Sequence, residues 1–181
     1  MILIGDEAPA DAGAREALLD RAFGPARFAK TCERLREGRL PARGLSFAAK
    51  QADGRLVGTL RFWHVALGDR AGLMLGPLAV AEEARGLGVG SALMKAGLER
   101  ARDLDHQAVM LVGDAPYYER FGFSAVHTEG LTMPGWVDRA RFLGLELAAD
   151  ALDGAQGLVR ATGAIALTFG EAPRLQPRRA A

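Results

Sequence analysis

A glycine-rich segment at residues 85–91 has the composition of an anion-binding turn. Its sequence is Arg-Gly-Leu-Gly-Val-Gly-Ser, and a helical pattern begins within it. Glycines let the chain turn tightly and bring bare backbone amides close to a ligand. A helix that begins at such a turn adds unpaired N–H groups and a partial positive charge. The segment therefore predicts a site for an anion, and a phosphate group suits it.

The spacing of these glycines argues against two common phosphate ligands. The P-loop pattern Gly-x-x-x-x-Gly-Lys-Ser/Thr does not occur, since Lys95 lies too far along the chain, so a nucleoside triphosphate is not expected. The dinucleotide pattern Gly-x-Gly-x-x-Gly would start at Gly86 and needs a glycine where the chain has Ser91. A dinucleotide-binding enzyme is therefore not favoured either.

Two adjacent tyrosines, Tyr117 and Tyr118, follow the next apolar run, Gln107 to Val112. A phenol has a pKa of about 10, so it is protonated near neutral pH and can donate its proton to a leaving group. Neighbouring helical residues point about 100° apart, so only one of the two should face a reacting atom.

Both segments resemble the signatures of the GNAT superfamily of N-acetyltransferases. Arg85, Gly88 and Gly90 fill its pattern Arg/Gln-x-x-Gly-x-Gly/Ala, and the sequence Tyr-Glu-Arg-Phe-Gly-Phe at 118–123 resembles its second signature. The resemblance covers residues 45–147. It is closest to a bacterial branch of predicted acetyltransferases that carries a Met-Pro-Gly turn and a Leu-Glu-Leu strand, here at 133–135 and 145–147.

The resemblance implies acetyl-CoA as co-substrate, with its pyrophosphate wrapped by the main chain of the turn and its pantetheine paired with the preceding strand. The residues implied in this binding are Leu78, Ala79, Val80, Arg85, Gly86, Leu87, Gly88, Val89, Gly90, Ser91, Asp114, Tyr117 and Tyr118. Three scattered histidines without ligand spacing give no reason to expect a metal.

Motif position makes Tyr118 the predicted general acid that protonates the thiolate, with Tyr117 as the second choice. The backbone N–H of Leu78 is the predicted donor to the oxyanion. The run from Leu73 to Val80 contains no carboxylate. A water relay is therefore the default route for the amine proton, with His64 and Asp114 as the candidate bases.

The acceptor is expected to be a primary amine of a small molecule or a peptide. Trp63, Met133 and Trp136 are candidates to line its pocket, and ordinary packing is an equally good account of each. The alternative function is a non-catalytic acyl-CoA-binding sensor or regulatory module, because the apolar strand lacks a carboxylate.

The elements that must position these residues begin with the apolar run from Leu73 to Val80, which predicts a buried strand. Gly76-Pro77 interrupts it, which predicts a bulge or a local parting from one neighbour. Two further predicted strands, at 45–51 and 56–67, meet at an Asp-Gly turn signal. These segments predict three successive antiparallel strands.

Helical spacing is found from Asp11 to Phe23, from Ala26 to Glu37 and from Gly90 to Leu104. The basic residues of the second helix and the segment after it are interpreted as a solvated face rather than an anion-attracting rim. They are Arg27, Lys30, Arg34, Arg36, Arg39 and Arg43. Strands and helices do not alternate along the chain. The pattern therefore predicts an α+β domain with a mixed sheet. The resemblance implies the same class and specifies a GNAT-type, mostly antiparallel sheet with flanking helices and a splayed central strand pair.

Length and composition fit one globular domain. The chain has 181 residues and a formal net charge of +1, so neither nucleic acid nor an anionic membrane is the expected partner. A lone cysteine, Cys32, fits a reducing compartment. The short apolar start is not expected to be a signal peptide. We predict a cytoplasmic protein with one domain at 1–169 and a flexible tail at 170–181. The oligomeric state is open, with a homodimer as one option.

Overall fold

The computed structural model describes residues 1–166. The predicted tail at 170–181 lies outside these residues, as do the last three positions of the predicted domain. No helix within residues 1–166 is long and apolar enough to cross a membrane.

One mixed sheet dominates the described chain. Its strands are β1 (Ile2–Asp6), β2 (Ser46–Gln51), β3 (Leu56–Leu67), β4 (Arg70–Val80), β5 (Ala108–Val112), β6 (Leu131–Thr132), β7 (Phe142–Glu146) and β8 (Gly157–Ala161). The main order is β1-β2-β3-β4-β5-β7, while β8 pairs with both β3 and β6. The β4–β5 and β6–β8 pairs are parallel and the others antiparallel. The predicted fold class is confirmed.

In the part of the chain that the structure describes, three α-helices accompany the sheet: α1 (Ala12–Phe23), α2 (Val89–Asp103) and α3 (Ala115–Tyr118). Leu18 of α1 and Leu93 and Met94 of α2 are fully buried in the larger of two apolar cores. The first and last of the three long predicted helices are thus present.

The helix predicted from Ala26 to Glu37 is wrong. The segment forms two short 3-10 turns, Pro25–Ala29 and Thr31–Leu35, separated by Lys30 in an extended conformation with ψ of 143°. Tertiary contacts outweigh helix propensity here. The Thr31 hydroxyl donates to the carbonyl of Trp136 over 2.7 Å, which ties the second turn to the loop after β6.

Strand β4 both bulges and parts from a neighbour at Gly76-Pro77. Leu78 lies opposite Leu60 of β3, but Leu75 lies opposite Phe62, so β4 carries an extra residue at this point. Its parallel pairing with β5 is confined to Leu73 and Met74 among the described residues. Both outcomes predicted for the interruption therefore occur together, and a gap opens between the two central strands.

Candidate active site

A cleft of about 1120 Å³ occupies the gap where β4 parts from β5. One part is lined by the glycine-rich turn at 85–91 and the start of α2. The middle is lined by the end of β5 and by α3, and the other part by α1 and the segment 27–38. The fold therefore brings the two sequence signatures to one cavity.

The second half of β4 offers its main chain to this cleft. The N–H of Ala81 donates to the carbonyl of Val57 on β3 over 2.8 Å. Hydrogen-bonding residues alternate along an antiparallel pair, so Ala79 also faces β3, while Leu78 and Val80 direct their N–H and C=O groups toward the gap. Ala79, one of the predicted ligand contacts, therefore has no main-chain group free for the cleft.

The turn before α2 presents a row of free amides. Gly86 and Gly88 have φ of +78° and +77°, which residues with a side chain rarely adopt. Within residues 1–166, five N–H groups of this segment have no hydrogen-bond partner. They belong to Gly86, Gly88, Val89, Gly90 and Ser91. Together with the positive end of the 15-residue helix α2, they can bind a diphosphate.

Tyr117 and Tyr118 line different parts of the cleft. A Cβ on Gly90 would lie 2.7 Å from the Tyr117 hydroxyl, so this tyrosine lies against the glycine-rich turn. A Cβ on Gly113 would lie 2.2 Å from Cε2 of Tyr118, so that ring packs directly on the backbone at the end of β5. The rings make an edge contact with centroids 4.9 Å apart. Tyr118 is thus the tyrosine at the point where the strands part.

Burial raises the pKa of Tyr118 to about 12, and the neighbouring Tyr117 and Asp114 act in the same direction. The positive charge of Arg141 opposes the shift. The phenol therefore stays protonated at any pH at which a thioester is stable, as a proton donor must.

The raised pKa predicts a specific pH dependence of stability. Unfolded tyrosine loses its proton near pH 10 and the folded residue near pH 12, so the contribution of Tyr118 is complete below pH 10 and is lost as the pH rises toward 12. We expect the free energy of unfolding of the wild type to fall by about 2 kcal/mol relative to Tyr118→Phe between pH 9 and pH 11.5. Denaturant titrations at both pH values measure this difference. A constant difference would show that the Tyr118 phenol is not desolvated.

Trp63 holds the bulge of β4. Its indole Nε1 donates to the carbonyl of Gly76 over 2.6 Å, and both groups are buried. The ring also lines the cleft. Trp63, which was predicted to contact the acceptor, therefore also has a structural role: it donates the hydrogen bond that the buried Gly76 carbonyl requires where the strands part.

Removing this donor is expected to destabilise the protein. In Trp63→Phe the Gly76 carbonyl stays buried without a partner, so we expect a loss of about 1–3 kcal/mol in the free energy of unfolding, measured by denaturant titration. Trp136→Phe is the matched control, because Trp136 is 85% exposed. It should change stability by less than about 0.5 kcal/mol. Equal effects of the two substitutions would contradict a structural role for the indole hydrogen bond.

His64 lies outside the cleft. It is opposite Leu73, where β4 and β5 are still paired, and its ring is 5.4 Å from that of His106, two residues before β5. Burial and the proximity of His64 lower the pKa of His106. The expectation that His64 reaches the reacting atoms fails because the strands part only beyond it. Asp114 does line the cleft, at the exposed start of α3.

Three other predicted contacts also lie outside the cleft lining. Met133 is buried in the second apolar core with Met74 and Met110. Trp136 projects into solvent from the loop after β6, and Leu87 is 66% exposed at the outer side of its turn. The remaining predicted binding residues line the cleft. They are Leu78, Val80, Arg85, Gly86, Gly88, Val89, Gly90, Ser91, Asp114, Tyr117 and Tyr118.

The cleft also contains charged residues that sequence reasoning did not assign to it. Arg27, Lys30 and Arg36 line it. The interpretation of this basic cluster as a solvated face is wrong for Arg27 and Arg36, whose side chains are largely buried, whereas Lys30 is exposed. Glu33 and Arg61 join them. The clustering of basic residues in the sequence was the signal that could have assigned them to the cleft. Residues 1–166 contain no group of three or more His, Cys, Asp or Glu that could hold a metal ion.

The parted sheet, the amide-rich turn beside it and the half-buried tyrosine at the gap form the architecture of the acetyltransferase class that the sequence resembles. The model of the Acetyltransferase (GNAT) family matches residues 15–123. The chain belongs to this family and is an acetyltransferase.

Individual relatives agree with this assignment. The uncharacterized N-acetyltransferase YhbS of Escherichia coli K12 is 36% identical over 162 residues, which cover 87% of this chain and 95% of that protein. The crystal structure of E. coli YhbS in complex with CoA has a TM-score of 0.75 at 34% identity and covers 89% of both chains. A GNAT acetyltransferase from Brucella melitensis in complex with acetyl-CoA has a TM-score of 0.67 at 28% identity, covering 90% and 96%.

Proposed function

We propose that this chain transfers an acetyl group from acetyl-CoA to a primary amine of a small molecule or peptide, by direct attack of the amine on the thioester. The observation that carries the proposal is the continuous cleft that is lined by the free amides at 86 and 88–91, by the second half of β4 and by Tyr118. The complexes of the YhbS and Brucella relatives with CoA and acetyl-CoA support this choice of co-substrate.

The residues that line the cleft are suited to bind the pyrophosphate and the pantetheine arm of acetyl-CoA. The free amides of the turn and Arg85 bind the pyrophosphate, since they combine unpaired donors with positive charge. The main-chain groups of Leu78 and Val80 pair with the amide groups of the pantetheine arm, as a neighbouring strand would. The bound thioester supplies the activated acetyl group.

Two groups of the chain act on the charges that develop during transfer. The N–H of Leu78 stabilises negative charge on the carbonyl oxygen, because its direction toward the gap leaves it without a strand partner. Tyr118 donates its proton to the departing sulfur. A water relay removes the proton of the amine, with Asp114 as a cleft carboxylate within the same cavity.

Steady-state release of free thiol tests the proposal. The full chain is incubated with acetyl-CoA and a panel of primary amines, and thiol release is compared with the rate of hydrolysis without an amine. We expect amine-dependent release and acetylated product detected by mass spectrometry. Binding of CoA without release above hydrolysis would instead support the alternative of a non-catalytic acyl-CoA-binding module.

Two further expectations from the sequence stay predictions. They are a cytoplasmic location and an open oligomeric state with a homodimer as one option. Light scattering on the purified chain would test the oligomeric state directly.

A further inference from the structure

An ion pair with unused hydrogen-bonding capacity lies in the cleft on the side away from the glycine-rich turn. Arg36 donates from Nε over 3.1 Å and from Nη2 over 2.8 Å to the same oxygen, Oε2 of Glu33. Within residues 1–166, neither Nη1 of Arg36 nor Oε1 of Glu33 makes a hydrogen bond. The pair therefore keeps one cationic donor and one anionic acceptor for a ligand.

The free nitrogen of Arg36 lies at the reaction centre defined by the parted strands. Nη1 is 3.9 Å from the position that a Cβ on Gly76 would occupy. Both side chains line the cleft and are largely shielded, with exposed fractions of 12% for Arg36 and 25% for Glu33. Charge-assisted hydrogen bonds are stronger in such partly dry surroundings than at the surface.

The other charges of this part of the cleft argue against a polycationic acceptor. Arg61 pairs with Glu7, and Arg27 pairs with Glu16 and Asp20. The lining contains more arginine and lysine than aspartate and glutamate, so there is no excess of carboxylates to neutralise a polyamine. A zwitterion carries one charge of each sign and meets no such mismatch.

We propose that the acceptor is an α-amino acid whose carboxylate accepts a hydrogen bond from Nη1 of Arg36 and whose amino group contacts Oε1 of Glu33. This inference rests on the proposed function, since it names the acceptor of the same reaction. An α-amino acid carries one carboxylate and one amino group, which complement the free cationic donor and the free anionic acceptor of the pair. Leu19, Phe23 and Phe28 form an apolar part of the lining for its side chain.

The test compares each standard amino acid with its carboxamide, which keeps the amine and removes the negative charge. The first pair is L-phenylalanine and L-phenylalaninamide, because the lining is apolar. We measure kcat/KM for thiol release and expect the acid to be preferred by roughly 10–100-fold in the wild type, the effect of one charge-assisted hydrogen bond.

Variants assign the preference to the ion pair. Arg36→Gln should reduce the acid-to-amide ratio to about 1, and Arg36→Lys should restore part of it because the charge returns. Arg43→Gln is the matched control, since Arg43 is exposed and makes no ion pair within the described chain. The ratio of two kcat/KM values does not depend on the folded fraction of the enzyme, so partial unfolding of a variant does not obscure the result.

The outcomes separate this inference from the proposed function. Equal use of acid and amide by the wild type, or an unchanged ratio in Arg36→Gln, would overturn the amino-acid assignment. Turnover of amines that lack a carboxylate, with no turnover of amino acids, would overturn it while leaving the acetyltransferase activity intact. The absence of thiol release with any amine would overturn both the amino-acid assignment and the proposed function.

Discussion

Tyr118→Phe is expected to lower kcat by about 100-fold or more, because the variant keeps the ring and loses the only proton that this side chain can donate to sulfur. The ring packs on Gly113 in the wild type and can do so unchanged in the variant. The affinity for CoA should therefore stay within about threefold, which isothermal titration calorimetry measures beside the steady-state kinetics.

Tyr117→Phe is the matched control for this prediction. Its hydroxyl lies against Gly90 of the turn rather than at the parted strands, so most of kcat should be retained and a change should appear in CoA affinity instead. The assignment of the acid fails if Tyr118→Phe retains most of kcat while Tyr117→Phe does not.

Gly90→Asp is expected to weaken CoA binding by about 100-fold. The substitution places a carboxylate among the free amides of the turn, where it repels the pyrophosphate by about 3 kcal/mol at a separation of about 5 Å and an effective dielectric constant of about 20. Titration calorimetry with CoA measures the dissociation constant directly.

Gly90→Ala separates the effect of charge from that of bulk. The Cβ of the alanine would lie 2.7 Å from the Tyr117 hydroxyl, so the Tyr117 ring must move. The aspartate variant has the same steric clash, so the two variants differ only in the added carboxylate. We expect a loss of less than about tenfold for alanine. Equal losses in the two variants would mean that the phosphates do not lie at this turn.

The parts of the site that were predictable from sequence are those encoded by local pattern. The glycines at 86, 88 and 90 and the helix after them specify free amides whatever packs nearby. Gly76-Pro77 could not continue a regular strand, so an interruption of β4 followed from backbone chemistry alone. The two tyrosines reach the cleft because β5 runs parallel to β4, so that α3, which follows β5, lies at the same edge of the sheet as the turn that follows β4.

Residues whose position depends on distant contacts were not predictable in this way. The position of His64 within strand β3 was predictable from the sequence. Whether its side chain lines the cleft depends on where β5 stops pairing with β4, which the sequence of β3 does not encode. Arg36 and Glu33 reach the cleft because the segment 25–35 forms short turns instead of a helix, and the loop around Trp136 holds it there through Thr31. The sequence suggested Trp63 as a residue of the acceptor pocket. Its hydrogen bond to the Gly76 carbonyl was not predictable, because it depends on the bulge in β4.

The most direct test of the account is a crystal structure of the chain with CoA bound. We expect the pyrophosphate to accept hydrogen bonds from the free main-chain N–H groups of residues 86 and 88–91, and the sulfur to lie in hydrogen-bond contact with the Tyr118 hydroxyl. Phosphates held away from this turn, or a sulfur beside Tyr117 and remote from Tyr118, would contradict it.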